Sequence, residues 1–262
     1  MNRLMRDLVR IAGIAGDAIR ELYDRGNVEI SLKPDQSPVT AADRISHDLI
    51  VEKLKELTPG LPVLSEESED VPFEIRTRWA SYWLIDPLDG TKEFIHRSGD
   101  FAINIARIDD GKPGIGLIHS PLSGLTYFAE KGNGAFRMER DREPVPVRAA
   151  GYRGGQPKIV VSRFHSGAEL ERFLAKLPGH EARNMGSSLK ICLVADGSVD
   201  LYPRFSPTME WDTAAGHCIV EEAGGRLTDL ARKSLKYNKP LLVNPPFVAS
   251  GFPPFPWWEY LD

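Results

Sequence analysis

The chain predicts a layered α+β or mixed α/β fold, on three observations. Residues 1–57 carry two amphipathic helical patterns. Residues 101–139 carry four short strand-like runs joined by hairpin chemistry. From residue 158 onward, strands and helices alternate.

In order along the chain, Leu4, Leu8, Ile11, Ala15, Ile19 and Leu22 recur at helical spacing and form one face of a first helix, which Gly26 ends. Residues 38–57 (PVTAADRISHDLIVEKLKEL) predict a second helix, with Thr40 and Asp43 spaced as a capping box. After Pro59-Gly60 comes a short apolar strand ending in Ser65-Glu66-Glu67. Residues 79–85 (WASYWLI) predict a buried strand that runs into Asp86-Pro87. FAINIARI (101–108), GIGLIHS (114–120), GLTYFAE (124–130) and GAFRME (134–139) predict successive strands, with Asp-Gly, Ser-Gly and Gly-Asn-Gly turns between them. The polar, Arg- and Pro-rich stretch from Glu139 to Gln156 marks an exposed loop or boundary. It divides the chain into an α+β half (1–150) and an α/β half (151–262) that together form one compact catalytic unit. The second half opens on a strand at 158–162, followed by helices at 168–177 and 187–196 and a strand at 199–205. A helix from Asp212 to Ala223 follows, stopped by Gly224-Gly225, and then a short strand at 247–249. The tail GFPPFPWWEY holds too many prolines for a helix.

Composition removes several classes of function. Apolar residues at 42% and charged residues at 27% exclude disordered and fibrous chains. Lys+Arg of 33 against Asp+Glu of 37 gives a net charge of −4, without the basic surplus that non-specific nucleic-acid binding requires. Anionic ligands would therefore need locally placed cations or metal. Cys192 and Cys218 lie in apolar, helix-like stretches and read as two buried, reduced thiols, which excludes a disulfide framework. No secretory signal and no run near the ~20 apolar residues of a membrane span is visible, which places the protein in the cytoplasm. Arg3, Arg6, Arg10 and Arg20 would let the first helix lie on the cytoplasmic side of the inner membrane, but its apolar stripe favours packing on a core.

The most informative segment is Asp86-Pro87-Leu88-Asp89-Gly90-Thr91-Lys92-Glu93-Phe94. A buried strand delivers Asp86 to a turn that Pro87 and Gly90 permit. Two carboxylates three apart, with the Leu88 carbonyl between them, can converge as hard oxygen ligands suited to Mg²⁺ or Ca²⁺ rather than zinc. The Gly90 and Thr91 amides lie where a helix can begin, which suits an anion. Taken singly, each acid has an ordinary reading. Residues 86–90 make an Asp-rich turn, Glu66-Glu67 a solvated loop, Asp212 a helix N-cap and Asp43 a capping-box acid. Together they are acids at strand ends and helix starts from distant parts of the chain. Glu66, Asp86, Asp89 and Asp212 would repel one another severely if they converged without cations, and two Mg²⁺ ions would offset that charge. Thr91 could then hold an attacking water, Asp43 could accept the Thr91 hydroxyl proton or fix its rotamer, and Glu66 could help deprotonate the water. Competing chemistries lack parts: there is no HxxH or HExxH, no GxSxG, no P-loop and no GxGxxG after a strand.

Asp43, Glu66-Glu67, Asp86 through Thr91, Trp211-Asp212 and Gly224-Gly225, in this order, resemble the inositol monophosphatase-like, lithium-sensitive phosphatase superfamily over nearly the whole chain. Lys92-Glu93, SPVTAAD (37–43), VLSEE (63–67), GSSLK (186–190), LYPRF (201–205) and WDTAAGH (211–217) are similar to its bacterial branch, the CysQ-type 3'(2'),5'-bisphosphate nucleotidases. Phe94-Ile95-His96-Arg97 is instead similar to the segment that follows the core in inositol phosphatases. The resemblance implies an α-β-α-β-α layered sandwich. It also implies Mg²⁺-dependent removal of the 3'-phosphate of adenosine 3',5'-bisphosphate, leaving AMP, in sulfur metabolism. The 3'-phosphosulfate parent is a further expected substrate, with two or three Mg²⁺ ions and inhibition by Li⁺. By matching motif, Glu66, Asp86, the Leu88 carbonyl, Asp89 and Asp212 would ligate metal. Leu88, Asp89, Gly90, Thr91 and Asp212 would border the reacting phosphate. GSSLK resembles the nucleotide-holding segment, so Ser187 and Lys190 become candidates for the ribose or the non-reacting phosphate, joined by Arg204 in LYPRF and His165 in SRFH. The alternatives are an inositol-1-phosphate or fructose-1,6-bisphosphate phosphatase on the same scaffold, and a non-catalytic metal- or nucleotide-binding sensor. The complete acid set with Thr91 argues against the sensor. A monomer and a homodimer are both compatible with the sequence.

Overall fold

A computed structural model of the protein describes residues 1–26, 30–32, 38–140, 142–164 and 167–261. Helix α1 (Arg3–Arg25) starts where the Asn2 side chain accepts the Met5 N–H and stops at Gly26, whose φ of 78° only glycine adopts freely. Strands β1 (Ile30–Leu32) and β2 (Pro38–Thr40) form an antiparallel ribbon leading into α2 (Ala41–Leu57). The predicted helix over 38–57 therefore begins three residues late. Thr40 is its N-cap: its hydroxyl accepts the Ala42 N–H, and the Asp43 carboxylate accepts the Thr40 N–H in return, which holds residues 38–40 extended.

The next nine elements are β3 (Val63–Ser65), α3 (Phe73–Arg76), β4 (Ser81–Asp89), α4 (Thr91–Ile95), β5 (Ala102–Asp109), β6 (Lys112–His119), β7 (Thr126–Glu130), β8 (Ala135–Met138) and β9 (Val145–Val147). Their strands make a seven-stranded sheet in chain order, parallel at β3–β4 and antiparallel elsewhere. Two features depart from the sequence reading. First, β4 does not stop at residue 85: Asp86 pairs with Asn104 and Asp89 with Ala102, so Pro87 and Leu88 together oppose Ile103 and the chain bulges there. Proline has no N–H for the ladder and sits where the ladder is interrupted. Second, the polar stretch 139–156 holds an edge strand, Val145-Pro146-Val147, paired with β8.

After residue 157 the elements are β10 (Lys158–Ser162), α5 (Ala168–Lys176), β11 (Glu181–Met185), α6 (Leu189–Ala195), β12 (Leu201–Arg204), β13 (Thr208–Met209), α7 (Glu210–Glu222), β14 (Arg226–Asp229), β15 (Val243–Asn244) and β16 (Phe247–Ser250), then a 3₁₀ turn at Trp257–Tyr260. A mixed five-stranded sheet has the order β11-β10-β12-β16-β14, and β13 pairs with β15 apart from it. Helix α6 begins at Leu189 rather than 187, and α7 at Glu210 rather than 212. Asp212 is thus not the N-cap; it caps from the third helical position, accepting the Met209 N–H at 2.8 Å.

Strand alternation turns these elements into layers. Trp83, Ile85, Ile103, Ile105 and Leu117 face one way and pack on Leu8, Ile11, Ile19 and Ile50 of α1 and α2. Tyr82, Leu84, Ala106 and Ile118 face the other way, onto Ile191, Cys218 and Ile219 of α6 and α7, which also meet Val160, Tyr202 and Phe247 of the second sheet. The far face of that sheet, with Ile159, Val161 and Val248, is covered by Leu170, Phe173 and Trp257. The order is α-β-α-β-α, as predicted. Helix α7 is buried continuously from Thr213 to Val220, as a helix between two sheets must be. It can approach β6 because residue 116 is glycine: a Cβ there would lie 2.2 Å from the Ala215 carbonyl oxygen. Cys192 and Cys218 are free thiols in this middle layer, 1% and 2% exposed. Among the described residues, no helix is long and apolar enough to cross a membrane.

Candidate active site

The site forms where the C-terminal ends of β3 and β4 meet the N-terminal ends of α2, α4, α6 and α7. A cleft of about 540 Å³ opens there, with Glu66, Asp86, Asp89 and Asp212 among its acidic lining and Lys190 and Arg204 among its cations. Strand β3 sets Glu66 beside β4 by continuing the parallel ladder, the Glu66 N–H donating to the Ile85 carbonyl at 3.1 Å. The bulge in β4 turns both of its aspartates inward. The Leu88 N–H donates to Asp86 Oδ1 at 3.0 Å, and Ser46 of α2 donates to the Pro87 carbonyl at 2.7 Å, which holds the bulge from outside the sheet.

Asp86, Asp89 and Asp212 each bring one carboxylate oxygen to within 4.8 Å of the others. Burial, and then Glu66, Asp89 and Asp212, push the Asp86 carboxyl well above the usual carboxylate range. Burial, and then Asp89 and Glu66, do the same to Asp212. Such a cluster is electrostatically unfavourable unless a cation sits in it. The donors are all oxygens, with the Leu88 carbonyl on the same bulge, so the residues fit a hard divalent ion such as Mg²⁺.

Thr91 follows Gly90, which adopts a φ of 95° as the N-cap of α4. The Thr91 hydroxyl lies 3.0 Å from Asp43 Oδ1 and 3.3 Å from the Leu88 carbonyl oxygen. Asp43 Oδ2 meanwhile accepts from the Thr40 N–H at 2.8 Å and the Thr40 hydroxyl at 2.6 Å. Asp43 is therefore both the capping-box acid and the partner of Thr91. Burial raises its carboxyl, and the Thr40 donors oppose that shift.

The cationic end is built by α6 and β12. Lys190, 3% exposed, donates to the Ser187 carbonyl and lies 5.3 Å from the centre of the Tyr202 ring. Burial lowers its pKa to about 8, and Arg204 opposes the charge as well, while Asp89 favours it. Arg204 is also buried, and its guanidinium donates to the Ser206 and Pro207 carbonyls at 3.2 and 3.3 Å. Ser187 takes a φ of 51°, which turns the loop before α6 toward the cleft. His165 lies outside the described residues.

The structure gathers Asp43, Glu66, Asp86, Leu88, Asp89, Gly90, Thr91, Ser187, Lys190, Arg204 and Asp212 around one cleft or its immediate wall. Residues given no site role from the sequence also belong there: Ser188, Glu93 and Tyr202 line the cleft, and Asn104 lies behind Asp89. Asn104 had a signal, being a lone amide in the otherwise apolar, buried run from residue 102 to 106 of β5. Ser188 and Tyr202 had none of that kind.

The inositol monophosphatase family model matches residues 2–251. The 3'(2'),5'-bisphosphate nucleotidase CysQ of Escherichia coli K12 is 45% identical over 251 residues, covering 94% of this chain and 99% of the relative. The enzyme of the same name from Haemophilus influenzae is 36% identical over 256 residues, covering 97% and 95%. Among solved structures, CysQ from Bacteroides thetaiotaomicron superposes with a TM-score of 0.82 at 38% identity, covering 94% of this chain and 97% of that one. The extragenic suppressor protein SuhB from Bartonella henselae gives 0.80 at 30%, covering 96% and 95%.

Proposed function

The chain belongs to the inositol monophosphatase family, and from that premise we propose that its cleft hydrolyses the 3'-phosphate of adenosine 3',5'-bisphosphate. The protein is a 3'(2'),5'-bisphosphate nucleotidase, a phosphoric monoester hydrolase of sulfur assimilation. One observation carries the reading of the site: a three-carboxylate cluster and two buried cations, Lys190 and Arg204, border the same cleft. A substrate with two anionic groups on one ribose suits that polarity. The 3'-phosphosulfate parent carries the same reacting phosphate and an anionic 5' end, so the same groups accept it.

Glu66, Asp86, the Leu88 carbonyl, Asp89 and Asp212 would hold Mg²⁺, which when bound offsets charge on the attacking and leaving oxygens and acidifies a water. The chain's own residues do the rest. The Thr91 proton is committed to Asp43, so the Thr91 oxygen is left to accept a hydrogen bond from the attacking water. Glu66 takes part in removing the proton of that water. Gly90 and Thr91 hold the oxygens of the reacting phosphate, and Ser187, Lys190 and Arg204 receive the ribose and the 5'-phosphate.

The test is phosphate release from adenosine 3',5'-bisphosphate and from inositol 1-phosphate, each with Mg²⁺ and with Li⁺ added. The expected result is preference for the nucleotide, dependence on Mg²⁺ and inhibition by Li⁺. Preference for the inositol phosphate would overturn the assignment of Ser187, Lys190 and Arg204.

A further inference from the structure

We infer that Asn104 is a positioning residue for the metal carboxylates, a role that rests on the reading above and deepens it. Asn104 lies on β5, 1% exposed, opposite Asp86 in the β4–β5 ladder. Both ends of its amide are used. Nδ2 is 3.3 Å from Asp89 Oδ2 and 3.4 Å from the carbonyl oxygen of Trp211, the residue before Asp212. Oδ1 accepts from the Ser188 hydroxyl at 2.6 Å, and the Ser188 N–H donates to the same Asp89 oxygen. A carboxylate and a carbonyl at one end require the NH₂ there, so the amide has one orientation and Ser188 must donate to the other end.

One buried side chain thus ties the bulged strand, the start of α7 and the start of α6 to one another. Asp89 and Asp212 come from segments 123 residues apart, yet their oxygens must meet around one ion. The Asn104–Ser188 relay fixes Asp89 Oδ2 and with it the orientation of the whole carboxylate that would face the ion. The relay also fixes the turn that carries Asp212. Ligating carboxylates depend on such outer hydrogen bonds, and losing one typically costs 10–100-fold in metal affinity.

The experiment is a calorimetric titration of metal-free protein with MgCl₂, well below its melting temperature, on the wild type, Asn104→Leu, Ser188→Ala and the double variant. Asn104→Leu keeps the branching at Cγ and removes the amide; it should weaken Mg²⁺ binding about tenfold. Ser188→Ala should shift binding in the same direction by less. The double variant should match Asn104→Leu, because both changes break one relay. A residue that only fills the core would lower the melting temperature and leave the Mg²⁺ dissociation constant of the folded protein unchanged. That result in both single variants overturns the inference, as does full additivity of their effects. If Asn104→Leu does not fold, unchanged Mg²⁺ affinity in Ser188→Ala is enough to overturn it. A wild type that binds Mg²⁺ but prefers another phosphomonoester removes the substrate assignment and leaves the relay standing; a wild type that binds no Mg²⁺ removes both.

Discussion

Asp43 serves two neighbours with one carboxyl: Oδ2 closes the start of α2 and Oδ1 takes the Thr91 hydroxyl. Thr91→Ala should therefore leave α2 capped and the fold intact while lowering kcat about 10²-fold, the usual value of one positioned proton-handling group. Steady-state kinetics with a melting curve on the same sample checks this. Lys190 makes a different prediction, because burial has lowered its pKa to about 8. Its charge is present below that pH, so kcat/KM for the bisphosphate should fall as pH rises above about 8, and Lys190→Met should lower the plateau and flatten that limb. The sign for stability is opposite. The folded state disfavours the ammonium, so Lys190 penalises folding below pH 8, and the penalty is relieved as pH rises from the folded pKa of about 8 to the ordinary lysine value of 10.5. At this scale the acids were legible from the sequence because their type and spacing already imply oxygen ligation. Lys190 and Arg204 were not legible from the residues alone, since a cation on a helix or at a strand end is ordinarily solvated. Only the fold buries them, and only the resemblance pointed to them beforehand. Asn104 shows the limit most clearly, because a buried amide says that partners exist without saying which.

Helix α7 reaches the aspartates of β4 only because it lies close against the sheet at Gly116. Building a Cβ there meets the Ala215 carbonyl at 2.2 Å and the Cys218 Cβ at 2.8 Å, atoms held in a helix buried on all sides. Gly116→Ala should destabilise the protein by about 1–3 kcal/mol, the usual cost of overpacking. It should also weaken Mg²⁺ binding by displacing Asp212. A denaturant melt and a metal titration separate the two effects, and loss of stability alone would mean that α7 yields away from its N-terminal end. The elements that were legible are those with sustained periodicity: α1, α2 and the strands from β4 to β8. Those that were not are short, exposed or interrupted. Glu181–Met185 shows no apolar alternation because it is an exposed edge strand, and Val145–Val147 is a proline-bearing edge. The bulge in β4 read as a turn because Pro87 and Gly90 are turn residues; the pairing of Asp89 with Ala102 resumes the strand beyond Pro87.

Taken as a whole, the molecule joins two sheets through a helical layer and concentrates acidity at one end of the cleft. The Asp86 and Asp212 carboxyls stand well above their ordinary value in the folded chain. The folded state therefore holds more protons than the unfolded one, and these groups lose stability for the metal-free protein as pH rises from about 4 toward neutrality. Asp86→Asn should raise the melting temperature of chelated protein at pH 7 relative to wild type, flatten its fall between pH 4 and 7, and abolish phosphate release. Mg²⁺ should stabilise the wild type far more than the variant. Melting curves in chelator and in excess MgCl₂ test this, and a lower melting temperature for the metal-free variant would count against a strained acidic cluster. That helices and strands stack in layers was within reach of the sequence, because the hydrophobic period changes along it; the α-β-α-β-α order came only from the resemblance. The two cysteines have one more consequence. Both sit in α6 and α7, the layer between the sheets, and nowhere else. Cys192 borders a side pocket that a small reagent can enter, whereas Cys218 is closed in against the Ala129 carbonyl, so the rate at which Cys218 is labelled serves as a built-in clock for the opening of that layer.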